Sequence, residues 1–151
     1  MHINRRHTRV ATIVVAVTLL SAVSPLLADG QGGGKPRKLH VTKECSEYTG
    51  AAGAFCTITS SNLGLILVGS TVTYDQAAGI PAFGLDSNVV LDAGNGNRAM
   101  GRCTLDATTG TGLCTFGDGT GQFAGFHARV DVSYLGGADF AWDGTYSFSP
   151  D

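Results

Sequence analysis

The sequence has little charge and, beyond its first residues, no amphipathic helix. No stretch after the N-terminal region places apolar residues at helical spacing over three turns, which excludes a helical bundle and a basic membrane-surface helix. Charged residues make up 15% of the chain and form no basic stripe. Proteins that bind nucleic acids concentrate Lys and Arg on one surface, so we expect no nucleic-acid partner.

Motifs of the common enzyme and cofactor classes are also missing. The chain has no Walker loop, no dinucleotide-binding fingerprint, no Ser–His–Asp order and no C-x-x-C motif. Once the N-terminal segment is removed, only two histidines remain, His40 and His127. Zinc sites need four ligands that are mostly Cys and His. The sequence therefore predicts neither a metal ion nor a cofactor.

The N-terminus has the pattern of a secretory signal peptide. The first nine residues carry three arginines and no acid, residues 10–23 are almost wholly apolar, and small residues lead to Ala28. Residues 1–28 are therefore predicted to be removed by cleavage near Ala28, which gives a secreted protein, extracellular or periplasmic. Polar residues and Pro25 interrupt the apolar run, so it is too short for a stable membrane span.

Cleavage defines the remaining organisation. It takes three of the 10 basic residues and none of the 12 acidic ones, which leaves a net charge of −5. Residues 29–38 contain no apolar side chain and are rich in glycine, which predicts a flexible linker. Residues 39–151 are predicted to form one domain, since roughly 120 residues bury one modest core.

That domain has the pattern of short strands joined by tight turns, with 22 glycines in the chain. In the last two candidate strands, apolar and polar residues alternate over ten residues, which is typical of strands buried on one side. Such a meander folds as a sandwich or closes into a barrel. Closure removes exposed edges, and we predict an all-β fold: a single antiparallel eight-stranded β-barrel. The candidate strands are Leu39–Cys45, Ala54–Ser60, Leu65–Tyr74, Ser87–Asp92, Arg98–Asp106, Thr111–Phe116, Gly125–Leu135 and Phe140–Ser149.

Four cysteines in an exported chain indicate disulfides. Cys103 and Cys114 flank a predicted hairpin with the loop 107–110, and counting outward from that loop places them directly opposite each other. Cys45 and Cys56 repeat the same spacing. We therefore predict the pairs Cys45–Cys56 and Cys103–Cys114, each closing a short loop and contributing roughly 2–3 kcal/mol.

The segment 114–126, which reads CTFGDGTGQFAGF, resembles the strand–GTGxF–strand passage of the allene oxide cyclase and dirigent barrels. The resemblance implies an eight-stranded calycin-like barrel, often assembled as a trimer. The expected state is therefore either a monomer or a homotrimer. It also implies a cavity for small, apolar, reactive molecules. Phe123 is expected to fold back as a plug after the Gly119–Gly121 turn. His127 stands where dirigent proteins often carry an arginine.

Two interpretations of the face around His127 are open. His127, Arg129, Asp131 and Ser133 alternate on one strand, with Asp143 on the neighbouring strand. In the lumen they would form an acid–base patch with His127 as proton shuttle, which makes His127 a candidate catalytic residue. On the outside they would form a solvated face with ion pairs. Small barrels fill their interior with apolar residues, which favours the outside.

Aromatic residues supply a candidate ligand pocket, because aromatic walls suit planar apolar molecules. The alternative is an ordinary core that fills the barrel. The candidates are Tyr74, Phe126, Trp142, Tyr146 and Phe148.

An acidic and Asn-rich stretch near Gly94 and Gly96 has some likeness to a calcium loop. It contains Asn-Gly, the strongest short hairpin signal. We therefore expect a hairpin turn there.

Three functions follow from these observations. The first is a secreted, disulfide-stapled barrel without catalytic activity that binds a small apolar ligand or a partner surface. The second, from the resemblance, is a barrel that guides cyclisation or coupling of a reactive small molecule, as an isomerase-like enzyme would. The third is a structural or inhibitory module whose barrel is filled. Both resembled families rely on shape and desolvation more than on a strong nucleophile, which suits a sequence without one. Binding without catalysis is the leading hypothesis.

Overall fold

A computed structural model describes residues 34–79 and 84–149 of the chain. Its architecture is a closed antiparallel barrel of eight strands in sequence order. This confirms the predicted fold class. The strands are β1 (Arg37–Glu44), β2 (Phe55–Ser61), β3 (Thr71–Tyr74), β4 (Gly84–Asp92), β5 (Arg98–Asp106), β6 (Thr111–Thr120), β7 (Phe126–Gly136) and β8 (Asp139–Phe148).

The barrel closes where the first strand meets the last. β1 pairs with β8 over its whole length, from Arg37 opposite Tyr146 to Glu44 opposite Asp139. Each other strand pairs with its neighbours in sequence. The long β7–β8 ladder carries the alternation that the sequence shows, and it contributes Phe126, Val130 and Trp142 to the core. Because the sheet is closed, each of the eight described strands has a neighbouring strand on both sides.

β3 starts later than predicted. The sequence pattern places its start at Leu65, whereas the strand begins at Thr71. The intervening segment forms turns in which Ile66 N–H donates to the Leu63 carbonyl at 2.9 Å. Leu63 and Ile66 are buried, but Leu67 and Val68 are exposed. Leu63 and Ile66 are three residues apart, and burial at that spacing is typical of a turn. A strand would bury every second residue instead, so this segment is not part of β3.

β6 continues further than predicted, through the glycines after Phe116 to Thr120. The chain then turns at Gly121, where φ is +61°, and enters a single 3₁₀ turn, Gly121–Phe123. The Phe123 side chain is fully buried, as expected of a plug. Its ring contacts Phe126 edge-on with 5.2 Å between centroids. The predicted turn therefore begins two residues later than Gly119.

The two ends of the barrel differ. The plug end, where β2–β3, β4–β5 and β6–β7 connect, is filled by Phe123 with Leu63 and Ile66. The disulfide end carries the β1–β2, β3–β4, β5–β6 and β7–β8 connections and both disulfides. The bonds are Cys45–Cys56 and Cys103–Cys114, which confirms both predicted pairs. Cys103 and Cys114 lie directly opposite each other, with 4.1 Å between their Cα atoms.

The predicted signal peptide, residues 1–28, lies outside the described residues, as does half of the predicted linker 29–38. The described part of that linker ends in β1, which starts at Arg37. Before the strand, Gly34 N–H donates to the Phe148 carbonyl at 2.9 Å. Within the described ranges 34–79 and 84–149, no helix is long and apolar enough to cross a membrane.

Candidate functional site at the disulfide end

Lys43 is the one charged side chain that is buried among the described residues, with 4% of its surface exposed. It lies near the end of β1, where the period-two alternation points Leu39, Val41 and Lys43 into the barrel. Its cross-strand partners are Ile58 on β2 and Phe140 on β8. The strand geometry therefore places a primary amine where the other inward positions of β1 hold apolar side chains.

A β-bulge shapes the sheet beside this lysine. The β1–β2 register shifts between Thr42 and Lys43, so Thr59 is the extra residue on β2. On the outer face, the Thr42 hydroxyl shares hydrogen bonds with the hydroxyls of Thr59, at 2.8 Å, and Ser60, at 2.9 Å. Bulges increase local twist and re-aim side chains. The three hydroxyl groups on the outer face thus hydrogen-bond to one another, and the Lys43 side chain points into the barrel.

Aromatic rings surround the Lys43 amine. Its Nζ lies 4.6 Å from the ring centroid of Trp142, 5.1 Å from that of Tyr74 and 5.8 Å from that of Phe140. It also donates a hydrogen bond to the Tyr74 hydroxyl. Aromatic faces attract a cation within about 6 Å. The site is therefore an aromatic box with one amine inside.

The amine has no acidic partner. None of the ion pairs among the described residues includes Lys43, and the adjacent Glu44 carboxylate accepts a hydrogen bond from Ser46 N–H instead. Burial disfavours the charged form and lowers the pKa of Lys43 to about 7. Burial, with a smaller contribution from Tyr48, raises the pKa of the Tyr74 hydroxyl well above its usual range. At neutral pH the site thus holds a protonated phenol beside an amine that is neutral in about half of the molecules.

A cavity of about 50 Å³ adjoins the amine. Its rim residues Tyr48, Leu85, Leu105 and Phe140 are only partly buried, so the cavity reaches the barrel mouth. Typical pockets for drug-sized ligands measure roughly 300–1,000 Å³. The cavity therefore fits only a very small molecule. It is lined by Lys43, Cys45, Tyr48, Cys56, Tyr74, Leu85, Cys103, Thr104, Leu105, Cys114, Val132 and Phe140.

Two buried polar atoms at this end have no hydrogen-bond partner in the described part of the chain. They are the Tyr48 hydroxyl and the Trp142 indole N–H. The Tyr48 ring packs edge-on against Tyr74, with 5.2 Å between centroids, and it lines the cavity. Buried polar groups are nearly always paired with protein or water. An unpaired hydroxyl in the wall therefore leaves a polar contact open to a molecule in the cavity.

The structure separates the five aromatic residues that the sequence suggests for a pocket. Tyr74 and Trp142 contact the Lys43 amine. Phe126 is buried beside the Phe123 plug. Tyr146 and Phe148 are half-buried at the plug end, where they line a surface depression of about 380 Å³ with Arg37. Two of the five therefore belong to the candidate site.

His127 lies on the outer face of β7. The strand alternates buried and exposed residues from Phe126 onward, so His127, Arg129 and Asp131 all face solvent. Asp143 does not pair with them; its carboxylate bonds His40 on β1 at 2.6 Å. The candidate catalytic histidine is thus separated from the cavity by the sheet.

The Asn-Gly stretch forms the hairpin turn that the sequence predicts. Asn97 N–H donates to the Gly94 carbonyl at 2.9 Å, and Asn95 takes a positive φ of 55°. The Asp92 carboxylate accepts from Gly94 N–H and from Arg98, both at 2.8 Å. The Asp92 carboxylate is therefore used within the turn, while the side-chain oxygen of Asn97 accepts from Gln122 N–H at 2.9 Å.

Known proteins add nothing to this assignment. No family model, no curated protein and no solved structure matches the chain. The candidate site therefore depends on its own geometry.

Motif reasoning missed Lys43, although the sequence carries a signal for it. Leu39, Val41, Lys43 and Cys45 share one strand face by period two, and a disulfide cysteine at the end of that series marks it as inward. A lysine within an inward series is rare, because lysine is almost never fully buried. That irregularity in the alternation is the signal.

Proposed function

We propose that this protein is an exported barrel that binds a small ligand, apolar except for one polar end, in the cavity beside Lys43. The observation that carries the proposal is the buried Lys43 amine, which has no acidic partner in residues 34–79 and 84–149 and lies against an apolar and aromatic cavity. The ligand's polar end would contact the amine, and its apolar part would contact Leu85, Leu105 and Val132.

The energetic cost of Lys43 supports a functional role. Burying an amine away from water costs free energy unless it is fully hydrogen-bonded or paired. The Tyr74 hydroxyl is its one hydrogen-bond partner among the described residues. An apolar residue at this position would pack in the same aromatic surroundings without that cost. A ligand that contacts the amine gives a reason for keeping it.

The two disulfides support both export and a fixed cavity shape. Disulfides persist in oxidising compartments outside the cytosol, which agrees with the signal-peptide pattern of residues 1–28. Both bonds line the cavity. Each connects two strands at the mouth, so the walls around Lys43 are held together covalently. A rigid wall favours small ligands by limiting how far the cavity can expand.

Membership in the allene oxide cyclase and dirigent family stays a prediction, as does the cyclisation or coupling chemistry that it implies. The cavity beside Lys43 includes Cys114 from the resembling segment 114–126 but none of the GTGxF residues 119–123. The proposed binding function is therefore independent of that resemblance.

Trp142 provides the test, because it is the single tryptophan of the chain and contacts the Lys43 amine. Titration with short-chain alcohols, carboxylates and aldehydes should change its fluorescence in a saturable way. Leu85→Phe adds ring atoms at the cavity rim and should abolish the change. Leu65→Phe is the matched control, since Leu65 is also half-buried but lies at the plug end.

The expected pattern is saturable binding in the wild type and in Leu65→Phe, and none in Leu85→Phe. Equal responses from the two variants would place the ligand elsewhere. No response from any short-chain compound, with a folded barrel by near-UV circular dichroism, would overturn the proposal in favour of a filled barrel.

A further inference from the structure

We infer that Lys43 is a covalent site: its amine forms a reversible imine with a short aliphatic aldehyde held in the cavity at the disulfide end. This inference rests on the proposed binding function and names the ligand class. The geometry that supports it is a buried amine with a phenol hydroxyl on one side, aromatic rings around it and an apolar cavity beside it.

Imine formation requires a lone pair on nitrogen. A protonated lysine has none, and an ordinary surface lysine is almost entirely protonated at neutral pH. Lysines become nucleophilic when an apolar pocket desolvates them. Lys43 is in that environment, and no carboxylate among the described residues pairs with it to stabilise the protonated form.

The chain contains an internal comparison. It has three lysines, Lys35, Lys38 and Lys43. Lys35 and Lys38 are exposed, so they serve as the reference within the same chain. Burial lowers the pKa of Lys43 to about 7, so more of its amine is neutral at neutral pH than in a free lysine side chain. Part of that advantage is lost because the amine is reached only through the cavity.

Tyr74 is placed to move the proton that the reaction needs. The Lys43 nitrogen attacks the carbonyl carbon, the C=O π electrons move to oxygen, oxygen takes one proton and nitrogen loses one, which gives a neutral carbinolamine. The hydroxyl then takes a second proton and leaves as water while the nitrogen lone pair forms the C=N bond, and nitrogen gives up its second proton. Overall, amine and aldehyde give imine and water, with no oxidation or reduction. The Tyr74 hydroxyl contacts Nζ and stays protonated at neutral pH, so it can donate to oxygen and recover its proton from nitrogen.

The cavity sets the size of the aldehyde. One water needs about 10–15 Å³ of such volume, so 50 Å³ accommodates an aldehyde of roughly two to four carbon atoms. The apolar walls suit an alkyl chain, and the Tyr48 hydroxyl in the wall has no partner of its own. Aromatic and long-chain aldehydes exceed the space. The inferred ligand class is therefore short aliphatic aldehydes.

The experiment traps the imine on the folded, disulfide-bonded protein. Propanal with sodium cyanoborohydride at neutral pH reduces an imine to a stable propylamine, and peptide mass spectrometry locates the propyl group. We expect at least tenfold faster labelling of Lys43 than of Lys35 or Lys38. In denaturant with reductant, the three lysines should label at equal rates. Octanal should leave Lys43 unlabelled in the folded protein.

Two variants separate the roles. Lys43→Met removes the nucleophile and should abolish selective labelling, while Lys35 and Lys38 label at their original rates. Tyr74→Phe keeps the amine and the ring but removes the proton carrier, so labelling of Lys43 should slow about a hundredfold, the lower end of what a positioned acid–base group contributes.

The outcomes distinguish this inference from the function it rests on. If propanal perturbs Trp142 fluorescence but Lys43 labels no faster than the surface lysines, the covalent inference is wrong and the binding function stands. If no short-chain alcohol, carboxylate or aldehyde perturbs Trp142 and propanal does not label Lys43, both are wrong. Selective labelling of Lys43 that depends on aldehyde length supports both.

Discussion

The Lys43 amine and the Trp142 ring face each other across the β1–β8 seam, with 4.6 Å between Nζ and the ring centroid. Trp142 pairs with Val41, one inward position before Lys43. The seam that closes the barrel is therefore also the wall that holds the amine. A change in Lys43 acts on an indole that is 1% exposed, which makes the protonation of this lysine visible by fluorescence.

Stability should rise with pH in a window set by Lys43. Its pKa is about 7 in the folded protein, against an ordinary value of 10.5. Between these values the unfolded chain binds more protons than the folded one, so the free energy of unfolding increases by up to about 1.4 kcal/mol per pH unit. Below pH 7 both states are protonated and the dependence disappears.

Urea denaturation of the wild type and Lys43→Met from pH 6 to 9.5 measures this dependence. The difference between the two proteins should be flat up to about pH 7 and then change in favour of the wild type. Tyr74 and Tyr48, the titratable groups facing the amine, have raised pKa values and stay protonated over this range. A difference that is constant across the range would show that the amine titrates normally.

Replacing the buried polar pair with apolar residues should stabilise the barrel. The double variant Lys43→Met, Tyr74→Phe keeps the side-chain volumes and removes a desolvated amine and hydroxyl. We expect a gain of roughly 1–4 kcal/mol at neutral pH. Lys43→Met alone should gain less, by roughly 1–3 kcal/mol, because it leaves the buried Tyr74 hydroxyl without a partner. Chemical denaturation monitored by far-UV circular dichroism checks the order; a double variant less stable than the single one would contradict it.

The plug end depends on a close approach at Gly119. A Cβ atom there would collide with the carbonyl oxygen and Cβ of Phe123, so Gly119→Ala should displace the plug and destabilise the barrel by about 2–4 kcal/mol. Gly117→Ala is the matched control on the same strand, because its Cβ would meet only the His127 ring at 3.8 Å. Thermal denaturation of the two variants measures the difference in stability. If both variants lose a similar amount of stability, the loss comes from adding a side chain to β6 and not from displacing Phe123.

Loss of the Cys103–Cys114 disulfide should destabilise the structure around the cavity more than the plug end. Cys103→Ala with Cys114→Ala removes a link between residues 11 apart, which costs roughly 2–3 kcal/mol in the chain-entropy model. Because both cysteines line the cavity, amide exchange should increase more around Val132 and Leu105 than around Phe123. Hydrogen exchange by mass spectrometry resolves the two ends. Uniform acceleration would indicate only global destabilisation.

The repetitive features of the sequence predicted most of the fold. Period-two alternation in β7 and β8 extends over ten residues, so the strands and their inward faces follow from the pattern. Hairpin counting around residues 107–110 placed Cys103 opposite Cys114 because a short loop fixes the register. These are local rules, and the described structure obeys them.

The features that the sequence did not predict depend on tertiary contacts. The run from Leu65 to Val68 has strand composition, but the core takes only Leu63 and Ile66 from this region. The five aromatic residues suggested for one pocket lie at two different ends of the barrel. Composition does not show which residues of different strands come into contact. Lys43 was overlooked since its burial is decided by the rings that β3 and β8 bring to it.

The seam between β1 and β8 has a consequence for how the chain acquires its structure. His40 and Asp143, which hydrogen-bond across the seam, are 103 positions apart in the sequence. During synthesis, β1 therefore lacks one of its two neighbouring strands until β8 has been synthesised. Pairings of such long range slow folding. During that interval both outer strands of the growing sheet are unpaired and can join another copy of the chain. Aggregation of this protein should therefore depend on how long the sheet stays open, and slowing the arrival of β8 should promote it.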